Sequence, residues 1–138
     1  MSLKLSHCVP SDASAFAKSF LDTYECMPRH KATFGAIPRE RQLESLTKSF
    51  QTGIVSQDHP TVTQENHYLK VTDPVTSELV AFAIWTYLPQ GYKLEEDSFV
   101  NVKEVPEGAN EALLRDVAGM AGVLRGEHEG RKGPHWCK

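Results

Sequence analysis

The sequence predicts a small α+β domain, in which a mainly antiparallel sheet of three to four strands packs with about three helices. Two observations predict this class. The segment Glu78–Pro89 (ELVAFAIWTYLP) carries no charge from Leu79 to Leu88, which is typical of a strand at the centre of a sheet. Three other segments carry apolar residues at helical spacing. At 138 residues, we expect a single domain over residues 1–138.

The first elements are a short strand and a helix. Leu3–Pro10 (LKLSHCVP) alternates loosely and ends at a proline, which suits an edge strand. Ser11 and Asp12 offer N-cap oxygens, so the sequence predicts a helix over Ser11–Tyr24. The apolar positions of this helix are Ala13, Phe16, Ala17, Phe20, Leu21 and Tyr24.

A loop and a second helix follow. Met27–Ile37 contains a proline, a glycine and mixed polarity, which indicates a loop. Pro38 suits the first turn of a helix. The predicted buried stripe of this helix is Leu43, Leu46, Phe50 and Ile54. The polar segment Val55–Glu65 is predicted to be a connecting loop.

A hairpin is the best-defined part of the chain. The strand His67–Thr72 (HYLKVT) is joined to the apolar strand through a turn at Asp73–Ser77, where Asp73-Pro74 favours a β-turn. Side chains alternate along a strand. We therefore expect Phe82 and Trp85 to lie on opposite faces of a central strand and both to be buried.

The last third of the chain should contribute a third helix and the opening of a strand. After the polar excursion Pro89–Gly108, Asn110 is a candidate N-cap. Gly126–Gly133 is a glycine-rich turn, and His135–Cys137 opens a strand. The predicted buried stripe of the helix is Leu113, Leu114, Val117, Ala121 and Leu124.

Composition and charge argue against some classes of function and favour others. A net charge of −3 gives no electrostatic reason to expect nucleic acid, and no run approaches the length of a membrane helix. The N-terminus shows no charged leader before an apolar stretch, and the three cysteines are widely spaced. These features favour an intracellular, cytoplasmic protein with reduced thiols.

Local motifs assign no catalytic residue, cofactor-binding residue or metal ligand. The six histidines lack the spacing of a zinc site, and the glycines at 119, 122 and 126 match neither a Rossmann fingerprint nor a P-loop. Trp85 and Tyr87 share one strand face, which would either belong to the core or line a ligand cleft. The candidate substrate-binding residues are Phe34, Trp85, Tyr87 and His135.

Taken in order, these segments resemble the N-terminal part of the GNAT superfamily of N-acetyltransferases, especially its fungal branch. Val9–Ala13 (VPSDA) matches the step into that family's first helix. His67–Trp85 (HYLKVTDPVTSELVAFAIW) matches its hairpin and is the most specific part. Gly108–Asn110 (GAN) and Pro134–Trp136 (PHW) also recur before the family's fourth strand. The resemblance covers nearly the whole chain and implies an acyltransferase-like protein.

The resemblance also implies that part of the family's machinery is missing. The family binds the acetyl-CoA pyrophosphate with an Arg/Gln-x-x-Gly-x-Gly/Ala loop at a helix N-terminus. The nearest match, Gly119–Ala121, has Arg115 one residue too far away and no strand before it. We expect a single truncated GNAT-like domain that ends at or just inside the fourth strand. By itself it should bind no acetyl-CoA and be inactive.

Three functions remain open at this point: an inactive portion of a GNAT enzyme, a non-catalytic binding or regulatory module, and a remnant cleft used for other small-molecule chemistry. The opening of a fourth strand would cover only part of the edge of Glu78–Leu88. We therefore expect a homodimer formed through this edge or by exchange of C-terminal segments. A small-molecule ligand is a further predicted partner.

Overall fold

Four strands form one antiparallel sheet in the computed structural model, which describes residues 3–61, 64–93 and 102–126, and residues 135–137 as backbone. Strand order across the sheet follows the chain, so β3 lies between β2 and β4. A sheet of this size and direction was predicted. The strands are β1 (Lys4–His7), β2 (Glu65–Thr72), β3 (Leu79–Leu88) and β4 (His135–Cys137).

The described residues form four α-helices, and a single 3₁₀ turn at Pro10–Asp12 leads into the first. The α+β class is therefore confirmed. None of the described helices has the length and apolar character needed to cross a membrane. The helices are α1 (Ala13–Tyr24), α2 (Pro28–Phe34), α3 (Arg39–Ser56) and α4 (Glu111–Gly126).

The loop predicted at residues 27–37 is wrong, because this segment contains α2. Pro28 occupies the first turn, where its fixed dihedral favours a helix. The carbonyl groups at the other end find partners elsewhere in the chain. Gln42 donates to the carbonyls of Phe34 (3.1 Å) and Ile37 (2.8 Å), and the Asn110 N–H donates to Thr33 (2.8 Å). Distant residues thus stabilise a helix that is too short to be obvious from its own pattern.

The core lies between one face of the sheet and helices α1 and α3. Phe16 of α1 stacks on Phe82 of β3 with ring centroids 4.5 Å apart. Phe50 of α3 meets both rings edge-on, with centroids 6.0 Å from each. Fully buried side chains around this cluster are Cys8, Ala13, Phe16 and Ile54, and Tyr68 and Leu79 pack against them.

An ion pair fixes the start of α1 to the middle of β2. The Lys70 ammonium lies 2.7 Å and 2.6 Å from the two carboxylate oxygens of Asp12. The Asp12 carboxylate also accepts the backbone N–H of Val9 at 2.8 Å. Because both charged groups are largely shielded from water, each needs the other as its partner.

The hairpin between β2 and β3 follows the predicted turn. The Asp73 carboxylate accepts the N–H groups of Val75 (2.7 Å) and Thr76 (3.3 Å), and Ser77 adopts a left-handed φ of 61°. Val71 pairs with Ala81 and Thr72 with Leu79. Val80 is therefore an extra residue that forms a bulge at the start of β3.

The second face of the sheet is not buried as expected. Helices α1 and α3 cover the face that carries Phe82, whereas α4 packs on α2. Trp85 on the opposite face is only half-buried, so the expectation that both residues are buried is wrong. Phe82 itself keeps some exposure, although its ring belongs to the central cluster.

Helix α4 is also less covered than predicted. Val117 is buried, but Leu124 is 74% exposed, so its assignment to a buried stripe is wrong. The reason is length. Seven-residue α2 is too short to cover the whole of the 16-residue α4, and the covered part includes Val117 but not Leu124. The predicted turn at residues 126–133 falls almost entirely outside the described residues.

Candidate functional site

The face of the sheet that α1 and α3 leave uncovered is called here the open face. Residues that pair across neighbouring strands lie on the same face of the sheet. The strand register therefore places Leu5 with Val71, His7 with Leu69, and His67 with Trp85 on the open face. Alternation adds Ala81, Ala83 and Tyr87 of β3 to the same face. The open face is thus mostly apolar, with imidazoles and an indole in its middle.

A shallow depression of about 580 Å³ lies on the open face, lined by His7, His67, Leu69 and Trp85. The rings of His7 and His67 have centroids 6.3 Å apart. The Nε2 atom of His67 lies 2.9 Å from a carboxylate oxygen of Glu65. The depression therefore combines an apolar floor with polar ring nitrogens and one carboxylate at its side.

These groups are better suited to binding a ligand than to catalysing a reaction. An indole and a leucine side chain can contact a flat apolar group, and imidazole nitrogens can donate or accept hydrogen bonds. Ligand sites commonly combine apolar walls with a few polar groups that fix orientation. Within the described residues, no group of three histidine, cysteine or acidic side chains could hold a metal ion.

The structure brings together two of the four residues proposed as substrate-binding. Trp85 lines the depression, and Tyr87 follows on the same strand face. Phe34 lies at the C-terminal end of α2 with its ring against His30, 5.1 Å between centroids, and does not line the depression. His135 pairs with Leu88 through the backbone, and its side chain lies outside the described atoms.

Sequence reasoning missed His7, His67 and Leu69. The hairpin could have placed His67 on the face of Trp85, because a turn at residues 73–77 puts His67 opposite Ala83, which shares its face with Trp85 by alternation. The longer turn that forms and the bulge at Val80 then shift the register and bring His67 opposite Trp85 itself. His7 could not be located in the same way. It reaches the depression only because β1 pairs with β2, a contact between segments that are distant in the chain.

The glycines of α4 do not form a phosphate loop. Gly119 lies inside α4, where backbone amides serve the hydrogen bonds of the helix itself. Arg115 donates to Glu111 at 2.8 Å, one turn earlier in the same helix. These glycines of α4 therefore form no cradle for the pyrophosphate of acetyl-CoA.

Cys8 is a structural thiol at the end of β1. Burial, together with the nearby Asp12 carboxylate, raises its pKa to about 11, although Lys70 acts in the opposite direction. Its N–H donates to the Tyr68 carbonyl (2.9 Å), and its carbonyl accepts from Gln57 (2.8 Å). Burial also raises the pKa of the Tyr68 hydroxyl. A thiol held neutral in this way is a poor nucleophile at neutral pH.

We expect the two described thiols to differ sharply in alkylation rate. Cys26 is exposed and Cys8 is buried. The raised pKa lowers the thiolate fraction of Cys8 at neutral pH by about a hundredfold, before its burial slows access further. Iodoacetamide labelling of the Cys137→Ser variant, followed by mass spectrometry of peptides, measures both rates. Labelling in urea is the control, where the rates should converge; similar rates in the folded protein would contradict the placement of Cys8.

The open face and its depression are the candidate site, because they bring together partly exposed aromatic and imidazole groups of β1, β2 and β3. The site offers surfaces for a small ligand with a flat apolar part and a polar group. The chain matches no protein-family model, no curated protein and no solved structure.

Proposed function

We propose that the chain is the N-terminal portion of a GNAT-type acyltransferase and that these 138 residues alone do not transfer an acyl group. The hairpin between β2 and β3 is the main support for this assignment. Residues 67–85 resemble the family's most specific segment, and they form most of β2, the turn and most of β3. In that family the central strand lies between its hairpin partner and the fourth strand. The position of β3 between β2 and β4 supports the same arrangement.

A contact between two of the family-like segments adds support. Asp12 belongs to the VPSDA step and Lys70 to the hairpin, and their side chains form the shielded ion pair at 2.6 Å. Two segments that resemble the family separately are thus joined by a specific contact. Such a contact is expected if the two segments belong to the same fold.

The 138-residue chain should not bind acetyl-CoA. The nearest match to the family's loop lies inside α4 and forms no amide cradle for the pyrophosphate, and each charge-assisted hydrogen bond of such a cradle contributes about 1.5–3 kcal/mol. Isothermal titration calorimetry with acetyl-CoA should show only heats of dilution. Coenzyme A without the acetyl group is the control, because the pyrophosphate is common to both. Stoichiometric binding at micromolar concentration would contradict the assignment.

The experiment that tests the family assignment is to sequence the transcript beyond the codon for Lys138. We expect coding sequence that extends β4 and continues into an Arg/Gln-x-x-Gly-x-Gly/Ala loop. A protein carrying that extension should bind acetyl-CoA, whereas the 138-residue chain should not. A transcript without such coding sequence would favour the binding module described next.

A non-catalytic binding module is the second candidate, favoured by the depression on the open face. Its ligand would be a small molecule that contacts Trp85 and the two imidazoles. Quenching of Trp85 fluorescence by imidazole-containing probes, measured in a Trp136→Phe variant, tests this function independently of acetyl-CoA. An intracellular, cytoplasmic location belongs to both proposals and is supported by the unpaired thiols of Cys8 and Cys26.

A further inference from the structure

Helix α2 is attached to the rest of the protein mainly by polar contacts. The one residue that α2 buries is Thr33, whose hydroxyl donates to the Arg29 carbonyl at 2.9 Å within the same helix. Helix α1, by comparison, buries four apolar residues. Among the described residues, the hydrophobic cluster around Phe16 includes none from α2. Burial of apolar surface therefore contributes little to the position of α2.

The side chain of Gln42 in α3 holds the C-terminal end of α2 with both ends of its amide group. Its nitrogen donates to the carbonyls of Phe34 (3.1 Å) and Ile37 (2.8 Å). Its oxygen lies 2.9 Å from Nε2 of His30. Because both amide hydrogens of Gln42 are used on the carbonyls, its oxygen accepts and His30 donates. One side chain thus satisfies three groups of the α2 segment.

The position of α2 is coupled to the start of α4. The Asn110 N–H donates to the Thr33 carbonyl at 2.8 Å. The Asn110 side chain accepts the Leu113 N–H at 3.1 Å and so caps the first turn of α4. α4 also packs on α2. Displacement of α2 would therefore remove a partner of the residue that caps α4.

The two ends of the α2 segment are held without the help of α2. Arg39, at the start of α3, forms ion pairs with Asp22 (2.6 Å) and Glu25 near the end of α1. α1 and α3 also pack directly on each other. The residues between 25 and 39 can therefore move while α1 and α3 keep their contacts.

We propose that residues 27–37 form a strap that opens separately from the core, and that Gln42 holds it closed. In the open state, α2 loses its contacts with α3 and α4, whereas α1, α3 and the sheet keep their packing. Segments with few buried apolar contacts open at a lower free energy than the core of the same domain. This conformational change goes beyond the proposed function and does not depend on it.

Native-state hydrogen exchange tests the role of Gln42. Gln42→Glu keeps the shape of the side chain but replaces its donor nitrogen with an oxygen that faces two carbonyls. The amides of Lys31, Gly35 and Ile37 are hydrogen-bonded within the strap, and we expect them to exchange about tenfold faster. Gln51→Glu is the matched control, because it adds the same charge at an exposed position of α3 and should leave these rates unchanged.

Ile54→Val distinguishes opening of the strap from unfolding of the whole domain. Ile54 is 0% exposed in the core, and its contacts persist when the strap opens. This variant should accelerate exchange of the β2 and β3 amides by roughly fivefold and leave the strap amides unchanged. Equal acceleration of both groups would show that the strap opens only when the whole domain unfolds, which would overturn the proposal. Strap amides that keep their exchange rates in Gln42→Glu would also overturn it.

Discussion

Phe16→Ala should lower the free energy of unfolding by about 3–5 kcal/mol. Phe16 is 0% exposed and stacks on Phe82 with centroids 4.5 Å apart, while Phe50 approaches it edge-on. One ring therefore joins α1, α3 and the sheet. Removing it loses apolar burial and leaves a cavity bounded by three elements that cannot all close on it. Urea denaturation followed by far-ultraviolet circular dichroism measures the change.

Phe20→Ala is the matched control for Phe16→Ala. Phe20 lies one turn later in α1, is half-buried, and contacts Tyr24 (4.5 Å) and Phe50 (6.1 Å). We expect it to cost clearly less than Phe16→Ala. Trp85→Ala should also cost less, because the open face keeps this indole partly in water. If Trp85→Ala destabilised the protein as strongly as Phe16→Ala, the open face would have to be a second core.

Gly53→Ala should destabilise the protein by about 1–3 kcal/mol. Gly53 lies in α3 directly against the ring of Tyr68 on β2. A methyl group there would overlap the tyrosine hydroxyl and lie 2.6 Å from the ring carbon that carries it. Tyr68 is half-buried between α3 and the sheet, so its ring cannot move aside without loosening α3. Thermal and urea denaturation should both report the loss.

Gly119→Ala is the control and should change stability in the opposite direction. Gly119 also lies inside a helix, but an added methyl group would meet nothing within 4 Å. Without a clash, the helix preference of alanine should stabilise α4 by about 0.5–1 kcal/mol. The same substitution should therefore destabilise in α3 and stabilise in α4. If Gly53→Ala left the stability unchanged, Tyr68 would have to move freely and α3 could not pack closely on it.

Elements with a strong local signal could be predicted from the sequence. The stripe of α1 and the Asp73-Pro74 turn of the hairpin are encoded within a few residues, and the structure has both. α2 escaped prediction because its C-terminal carbonyls are satisfied by Gln42 and Asn110, which lie outside it. Leu124 and Trp85 were assigned to the core wrongly for a related reason. Periodicity shows which face of an element is apolar, but not which other element covers that face.

The candidate site was predictable only where it depends on alternation. Trp85 and Tyr87 share a face because they are two residues apart on one strand. Phe34 was proposed beside them, yet it packs with His30 in a helix that local pattern did not reveal. The contribution of His7 required the pairing of β1 with β2, which brings residue 7 opposite residue 69. Non-local pairing of this kind cannot be obtained from a single sequence by periodicity.

The stacking of Phe16 on Phe82 determines when the hydrophobic core can form while the chain is being synthesised. α1 and α3 leave the ribosome well before β3, since both precede it in the chain. Their apolar stripes therefore have each other as a partner, through the α1–α3 contact, but no sheet to complete the cluster. Nascent chains with incomplete cores expose apolar surface that can aggregate. The core therefore stays incomplete until residue 82 has emerged, and until then the faces of α1 and α3 that later pack on the sheet remain exposed.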